Sequence, residues 1–527
     1  MRKPVLLRGP WKGAAPGLEP SQLGLDTFSD AVNSSFYAGK AKQLPAVRVL
    51  ASLPEEVRVG LLGVFVVRPK DGMDKMLYVC QDRLYLGDVL RGKVRDVTPQ
   101  DSDGKSQWIA RNKHDVTFLQ VSTDVDEWMV LLSLRMRYFV RMLLAGGTRF
   151  EVFKPADFEL RGGRVAAVFA DRLVFGNLMF DVADLPHAVG WYGVLGPFDT
   201  DYRTAGYAAL TEIPGPVTAM APMRDMLVVF KPTGAYVVQR TSSVELPFAF
   251  RPRVQDVGCS NQWHVATVAR HEGVVWYSEM TRRLFLWSGD AVQDITGPME
   301  GVLQEMPTDV VLWANDDYLD LVWPNKRYRM SFAGGWWTEL DNGVEGDTVG
   351  IVPAVVLRTG VTIDELDGQK IDALPGRIDD FGGPEVLSEQ ATITLNAVLV
   401  QDDAVMGLVR WRTAELRFEK PVTVTSFTAR VRAPYGGVFT LRASIDGGRS
   451  WLAYDTTEVG DLEGVARVPL HFVETSEQFT FEVSAFGSKI ELVDMVVDVV
   501  AISGQEDVSP TRADASQLGA FLGGNYW

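Results

Sequence analysis

Ala170-Asp-Arg-Leu-Val-Phe-Gly176 has counterparts along the chain in Gln81-Asp-Arg-Leu-Tyr-Leu-Gly87, Arg224-Asp-Met-Leu-Val-Val-Phe230, Arg282-Arg-Leu-Phe-Leu-Trp-Ser-Gly289 and Asp316-Asp-Tyr-Leu-Asp-Leu-Val322. Each shows a polar pair, then three to five strand formers with an aromatic among them, and often a glycine. The polar pair suits a tight turn, and an apolar run of that length suits a strand covered on both faces. A third strand usually follows, as at Lys93–Thr98, Thr148–Phe153, Tyr236–Arg240, Ala291–Thr296 and Trp336–Leu340. Units of three or four strands cannot bury both faces alone, so repeated copies stack radially as propeller blades. Their spacing of about 35 to 90 residues implies irregular blades with insertions, six or seven in number.

Working outward, strand-like runs broken by Gly, Pro, Asp and Asn fill residues 46–375, the expected propeller. Residues 1–45 carry Pro10, Gly13, Pro16, Gly17 and Pro20 without a lasting period. They read as an extended N-terminal arm, with one short helix at Asp26–Ser34 capped by Asp26. Residues 376–388 read as a turn-rich linker. Alternation returns over 389–503, in Thr392–Val400, Ser426–Arg432, Gly437–Ser444, Phe479–Ser484 and Ile490–Val500. Roughly eight strands in about 115 residues is the density of a β-sandwich. The Gly- and Ser-rich residues 504–527 read as a C-terminal arm. The expected fold class is all-β: an irregular six- or seven-bladed β-propeller, then a C-terminal β-sandwich, with extended arms at both ends.

At 527 residues, two or three domains are expected, and 46% hydrophobic residues supply enough apolar material for their cores. The net charge of −16 gives the wrong field for gripping phosphate backbones, which excludes a nucleic-acid reader. Cys80 and Cys259 each lie in an apolar stretch and read as buried thiols. The five histidines are dispersed, so no metal or cofactor is expected. The longest apolar run, around Val59 to Val67, is far short of the ~20 residues that span a bilayer. The opening Met1–Pro10 is too short in apolar residues for a signal peptide, so a soluble protein made in the cytoplasm is expected.

The sharpest local motif is Ser444-Ile-Asp-Gly-Gly-Arg-Ser-Trp451, which fits the Asp-box pattern Ser-x-Asp-x-Gly-x-Thr-Trp with Ser450 in the threonine position. In it Asp446 accepts turn hydrogen bonds from its neighbours, with Ser444 opening the turn. Gly448 takes a backbone shape disfavoured for other residues, and Trp451 packs beneath the hairpin. That reading is structural. A sialidase-like glycosidase needs an arginine cluster, a Tyr nucleophile with a Glu partner and a general acid, and no spacing singles these out. The pairs Glu55-Glu56, Asp316-Asp317 and Asp379-Asp380 suit turns, because adjacent residues on a strand point opposite ways. His264 and His271 flank the strand Val265–Ala269 and read as ordinary histidines. No phosphate loop, nucleophile elbow or zinc-protease motif occurs. Tyr and Trp, 14 each, could build a sugar-stacking surface, although in a propeller they fill the space between blades. No catalytic residue is therefore assigned.

Three further segments carry a family resemblance: Phe28-Ser-Asp-Ala-Val-Asn-Ser-Ser-Phe-Tyr-Ala-Gly-Lys-Ala-Lys-Gln-Leu-Pro45, Arg224–Val238, and Gly258–Ala266 continued by Gly273–Ser278 and Leu284–Asp290. They resemble β-propeller structural proteins of tailed bacteriophages, the class that includes short-tail nozzle proteins, over about residues 28 to 300. The best-known nozzle proteins are considerably longer. The resemblance implies a non-enzymatic virion protein in the tail, forming a homo-oligomeric ring, perhaps a hexamer, around the DNA exit channel. Its partners would be a tail adaptor and other tail proteins, with DNA passing through without sequence-specific binding. The alternatives are a receptor- or carbohydrate-binding virion protein that contacts a host-surface glycan, and a surface-polysaccharide glycosidase.

Overall fold

A computed structural model describes residues 2–501 except 71–74, 89–92, 124–125, 156–159, 181–182, 194–197, 202–203, 244–245, 269–272, 290, 307–309, 316, 324–325, 334, 342–347, 359–383, 395–396 and 403–404. His271, Asp316, Asp379-Asp380, linker residues 376–383 and the arm 504–527 lie outside the described residues. The chain is all-β in class; among the described residues the α-helices are two short ones, Glu55–Arg58 and Glu300–Glu305. It divides into two compact units, one of residues 48–265 and 346–401, the other of residues 1–47, 266–345 and 402–527.

The first of these units holds five four-stranded sheets. Four are antiparallel meanders of consecutive strands, covering 61–96, 116–152, 160–209 and 219–255. The fifth takes three strands from Thr348–Arg358, Pro384–Thr394 and Ala397–Asp402, and its fourth from Ala46–Ser52. The hairpin motif sits at the first turn of a meander. Ala170 (φ 50°) and Asp171 (φ 62°) form a two-residue turn between Leu160–Phe169 and Arg172–Phe180. Arg224 (φ 54°) plays a like part before Met226–Lys231. Positive φ at such turns matches the right-handed twist of the flanking strands.

The second strand of a meander is buried on both faces, and period-two geometry explains how. On Glu127–Ser133, Met129 and Leu131 enter a core with Leu77, Val79 and Trp108, while Val130 and Leu132 enter another with Leu173 and Phe175. One strand thus serves two cores, and its sequence reads as an unbroken apolar run. Burying each of these side chains contributes about 1.5–3 kcal/mol. Cys80 and Cys259 are both buried, and burial together with Asp82 pushes the Cys80 thiol up to about 12.

The other unit contains one further four-stranded sheet, from Val265 to Asp294, and one continuous strand network that includes the meander 311–339. Within the meander 311–339, Asp320 is fully buried and accepts from Arg329 Nε at 2.8 Å, Arg329 Nη2 at 3.0 Å and Arg327 Nη2 at 2.8 Å. The network is built from β1 (Thr27–Val32), β2 (Trp337–Glu339), β3 (Gly407–Thr413), β4 (Leu416–Ala433), β5 (Gly437–Ser444), β6 (Ala453–Val459), β7 (Leu462–Gly487) and β8 (Glu491–Ala501). β7 has 26 residues; its first part pairs with β4, and its last part pairs with β3 and β5. Inward side chains of both parts share one core, where Phe427 of β4 stacks on Phe481 of β7 at 4.5 Å.

Residues 2–43, expected as an extended arm, are paired into this network. Arg2–Arg8 runs antiparallel to β8, β1 pairs with β3 and β2, and Ala41–Gln43 also pairs with β8. The expected helix at Asp26–Ser34 is instead the strand β1. Thr27, Phe28 and Val32 are strand formers, and Phe28 and Ala31 fill core that a solvated helix would leave open. Asp26 caps no helix and pairs with Lys12 at 3.0 Å. Trp411 Nε1 donates to Ser34 Oγ at 2.6 Å, and Gln43 Nε2 donates to the Gly407 and Gly487 carbonyls. The N-terminal segment is therefore hydrogen-bonded to strands about 360 to 500 residues later.

Candidate functional site

β3, β5 and the end of β7 alternate strictly. Val409, Trp411, Phe439, Leu441, Phe481 and Val483 point into the core and are buried. The residues between them, Leu408, Arg410, Arg412, Val438, Thr440, Arg442, Glu482, Ser484 and Phe486, form the opposite face. Register then decides which of them meet. Asp30 of β1, Arg412, Glu482 and Arg442 lie opposite one another across four strands. Leu408, Phe486 and Val438 form a second row, 39%, 50% and 39% exposed.

The charged row converges on Glu482, which is almost fully buried. Arg412 donates to Glu482 Oε2 through Nη2 at 2.8 Å and Nε at 3.1 Å, and Arg442 Nη1 donates to Oε1 at 3.4 Å. Arg410 stands with Nε 3.9 Å from Oε2, and its Nη2 donates to Asp30 Oδ2 at 2.7 Å. A buried carboxylate is tolerable only with such partners around it. Burial opposes the Arg410 charge, but Asp30 and Glu482 outweigh it and hold its pKa up. Beside Asp30, burial and then the Asp30 charge push the Glu339 carboxyl above its ordinary range, while Tyr328 donates to its Oε2 at 3.4 Å.

The Asp-box turn closes one end of this face. Ser444 Oγ donates to Asp446 Oδ1 at 2.6 Å and accepts from the Gly448 amide at 2.9 Å. The Ser450 amide and hydroxyl donate to Asp446 at 2.9 and 2.5 Å. Hydrogen bonds from Ser444 and Ser450 hold the Asp446 carboxyl far below its ordinary range. Gly448 has φ 84°. Trp451 takes Arg412 at 5.4 Å and Arg442 at 5.9 Å over its ring, so the turn orients two of the three arginines. Tyr454, opposite Arg442 on the edge strand β6, is 76% exposed.

Sequence reasoning singled out the turn and missed Asp30, Arg410, Arg412, Arg442 and Glu482. A charge on the outer face of an alternating strand ordinarily signals only solvation. His264 is buried in the other unit, its ring 6.0 Å from that of His114. Among the described residues no group of His, Cys, Asp or Glu could hold a metal ion, and no helix is long and apolar enough to cross a membrane.

No family model and no curated protein matches this chain. Among solved structures, it is similar to an exo-β-1,3-galactanase from Phanerochaete chrysosporium at 10% identity, over 83% of this chain and 96% of that one, with TM-score 0.29. A glycoside hydrolase family 43 arabinoxylan arabinofuranohydrolase from Bacillus subtilis is 9% identical over 83% and 95%, with TM-score 0.24. YCF48 from Cyanidioschyzon merolae is 9% identical over 58% and 92%, with TM-score 0.34.

Two of these three are glycoside hydrolases and none is a tail protein, which corrects two expectations: a structural ring component around a DNA channel, and the absence of enzymatic function. The physical reason is that blade-like hairpins and acidic charge belong to an architecture that hosts many functions. TM-scores this low assign no residue and no reaction to this chain, so its site is read from its own side chains.

Proposed function

We propose that this protein is carbohydrate-active and holds a glycan against the outer face of β1, β3, β7, β5 and β6. One observation carries the reading: the solvent-facing row Leu408–Phe486–Val438 and the open ring of Tyr454 flank a row of hydrogen-bonding arginines on one sheet face. Sugar rings offer C–H faces to aromatic side chains and hydroxyls to guanidinium, carboxylate and hydroxyl groups. Phe486 and Tyr454 lie four residues apart along β5, about 13 Å, so a chain of several sugars spans them. The test is calorimetric titration of the full chain against a panel of oligosaccharides, with the variant carrying Phe486→Ala and Tyr454→Ala. At least tenfold weaker binding by the variant is expected; equal binding overturns the reading.

The Asp30–Glu339 pair favours a second reading, hydrolysis of that glycan. Glu339, its carboxyl pushed up beside an ion-paired Asp30, has the character of a general acid next to a carboxylate base. Reducing ends released by the native chain and not by Glu339→Gln support it; equal release by both removes it.

For the finer architecture, we infer that the six four-stranded sheets and the meander 311–339 are propeller blades and that β3–β8 form a two-sheet sandwich bent through β7. The shared cores between successive sheets and the Phe427–Phe481 contact across β4 and β7 support this.

A further inference from the structure

We infer that the glycan is anionic and is seated by its carboxylate or sulfate groups on the guanidinium edges of Arg410, Arg412 and Arg442, an inference that rests on the glycan-binding reading above. The clustering of guanidiniums on this face is the first ground. Three of them converge on Glu482 and Asp30, with Glu339 beside Asp30, on a chain of net charge −16. Glu458, about 13 Å along β6 from Tyr454, lies opposite Val438 at the end of the apolar row, away from the three guanidiniums.

The second ground is where the donors and the acceptor lie. Glu482 is 1% exposed, whereas the Arg410, Arg412 and Arg442 side chains are 30%, 26% and 41% exposed. The acceptor is sunk beneath the face and the donors are open to solvent. An incoming ligand therefore meets N–H groups before it meets a carboxylate. A guanidinium carries five N–H donors; Arg412 commits its Nε and Nη2 to Glu482, and Arg442 its Nη1. The edges that remain suit a two-oxygen anion, which planar guanidinium binds in parallel hydrogen bonds.

The third ground is preorganisation. Trp451 lies against Arg412 and Arg442, and Glu482 ties all three arginines from below. Side chains already fixed lose less freedom when a ligand arrives. A neutral glycan gains little from such a cluster, because hydroxyls are matched equally by uncharged side chains. Glu482 is thus a positioning residue, and the three arginines are the contacting ones.

The test titrates the full chain with polygalacturonate, dextran sulfate and dextran at low and moderate salt. Expected are at least tenfold tighter binding of one or both anionic polymers than of dextran, and a tenfold loss for Arg442→Gln that Arg442→Lys partly restores. Arg442 is substantially exposed, so the variant folds, as an unchanged urea midpoint verifies. The tighter of the two polymers assigns carboxylate or sulfate. Dextran binding as tight as the anionic polymers, or an Arg442→Gln variant that binds them unchanged, overturns the anionic assignment and leaves glycan binding standing. If none of the three polymers nor any neutral oligosaccharide of the panel binds, the glycan reading itself fails.

Discussion

Replacing Glu482 by Gln separates stability from recognition at this site. The carboxylate accepts from two guanidiniums, Arg412 at 2.8 Å and Arg442 at 3.4 Å, and lies 3.9 Å from a third, Arg410. Removing one partner of a fully buried ion pair costs about 3–5 kcal/mol. Here the arginines are a quarter to two-fifths exposed, and water recovers part of their solvation, so the cost falls to about 2 kcal/mol. Glutamine keeps the shape and one acceptor but sets an amide N–H₂ against guanidinium donors. For a unit of this size the urea slope is about 3 kcal/mol/M, so the midpoint should drop by about 0.7 M, followed through tryptophan fluorescence. In the same variant the site loses one negative charge, and an anionic polymer should bind at least as tightly as to the native chain. A midpoint within 0.2 M of native, or polymer binding abolished in a folded variant, would refute the reasoning.

Three further outcomes are expected. Burial alone would raise the Asp320 carboxyl, but Arg327 and Arg329 outweigh it and hold it at about 2, below the ordinary 3.8. Because the folded value is the lower one, this group contributes on the order of 2 kcal/mol that is fully present above pH 4 to 5 and lost as pH falls through about 2. Urea midpoints across that window should show the loss, and Asp320→Asn should flatten it. Trp411→Ala empties a fully buried indole site and removes the donor to the Ser34 hydroxyl, which keeps its bond to the Lys42 carbonyl; the cost is about 4 kcal/mol by urea unfolding, with Trp411→Phe near half of that. Gly448→Ala meets no atom closer than 3.5 Å, so its cost is the strain of φ 84° alone, about 1–2 kcal/mol by thermal unfolding.

The sequence by itself determined the β class and the hairpin units, because those signals are local. A turn such as Ala170-Asp171 and the apolar run after it declare themselves within ten residues, and burial on both faces follows from the run being unbroken. The hydrogen bonds of the Ser444–Trp451 turn likewise span no more than four residues. The N-terminal segment shows the opposite case. Its strands are two to seven residues long, too short for a period to appear, and their partners lie as far away as β8. Over Asp26–Ser34 the local sequence offers a helix-capping residue, whereas the conformation is set by β2 and β3 on either side. The site is the same case carried further. Alternation along β3, β5 and β7 told which residues face outward. Only the register between strands set Asp30, Arg412, Glu482 and Arg442 in one line, since a slip of one residue would turn each strand's side chains to the other face. Register is set by packing across the whole core, which no local stretch of sequence contains.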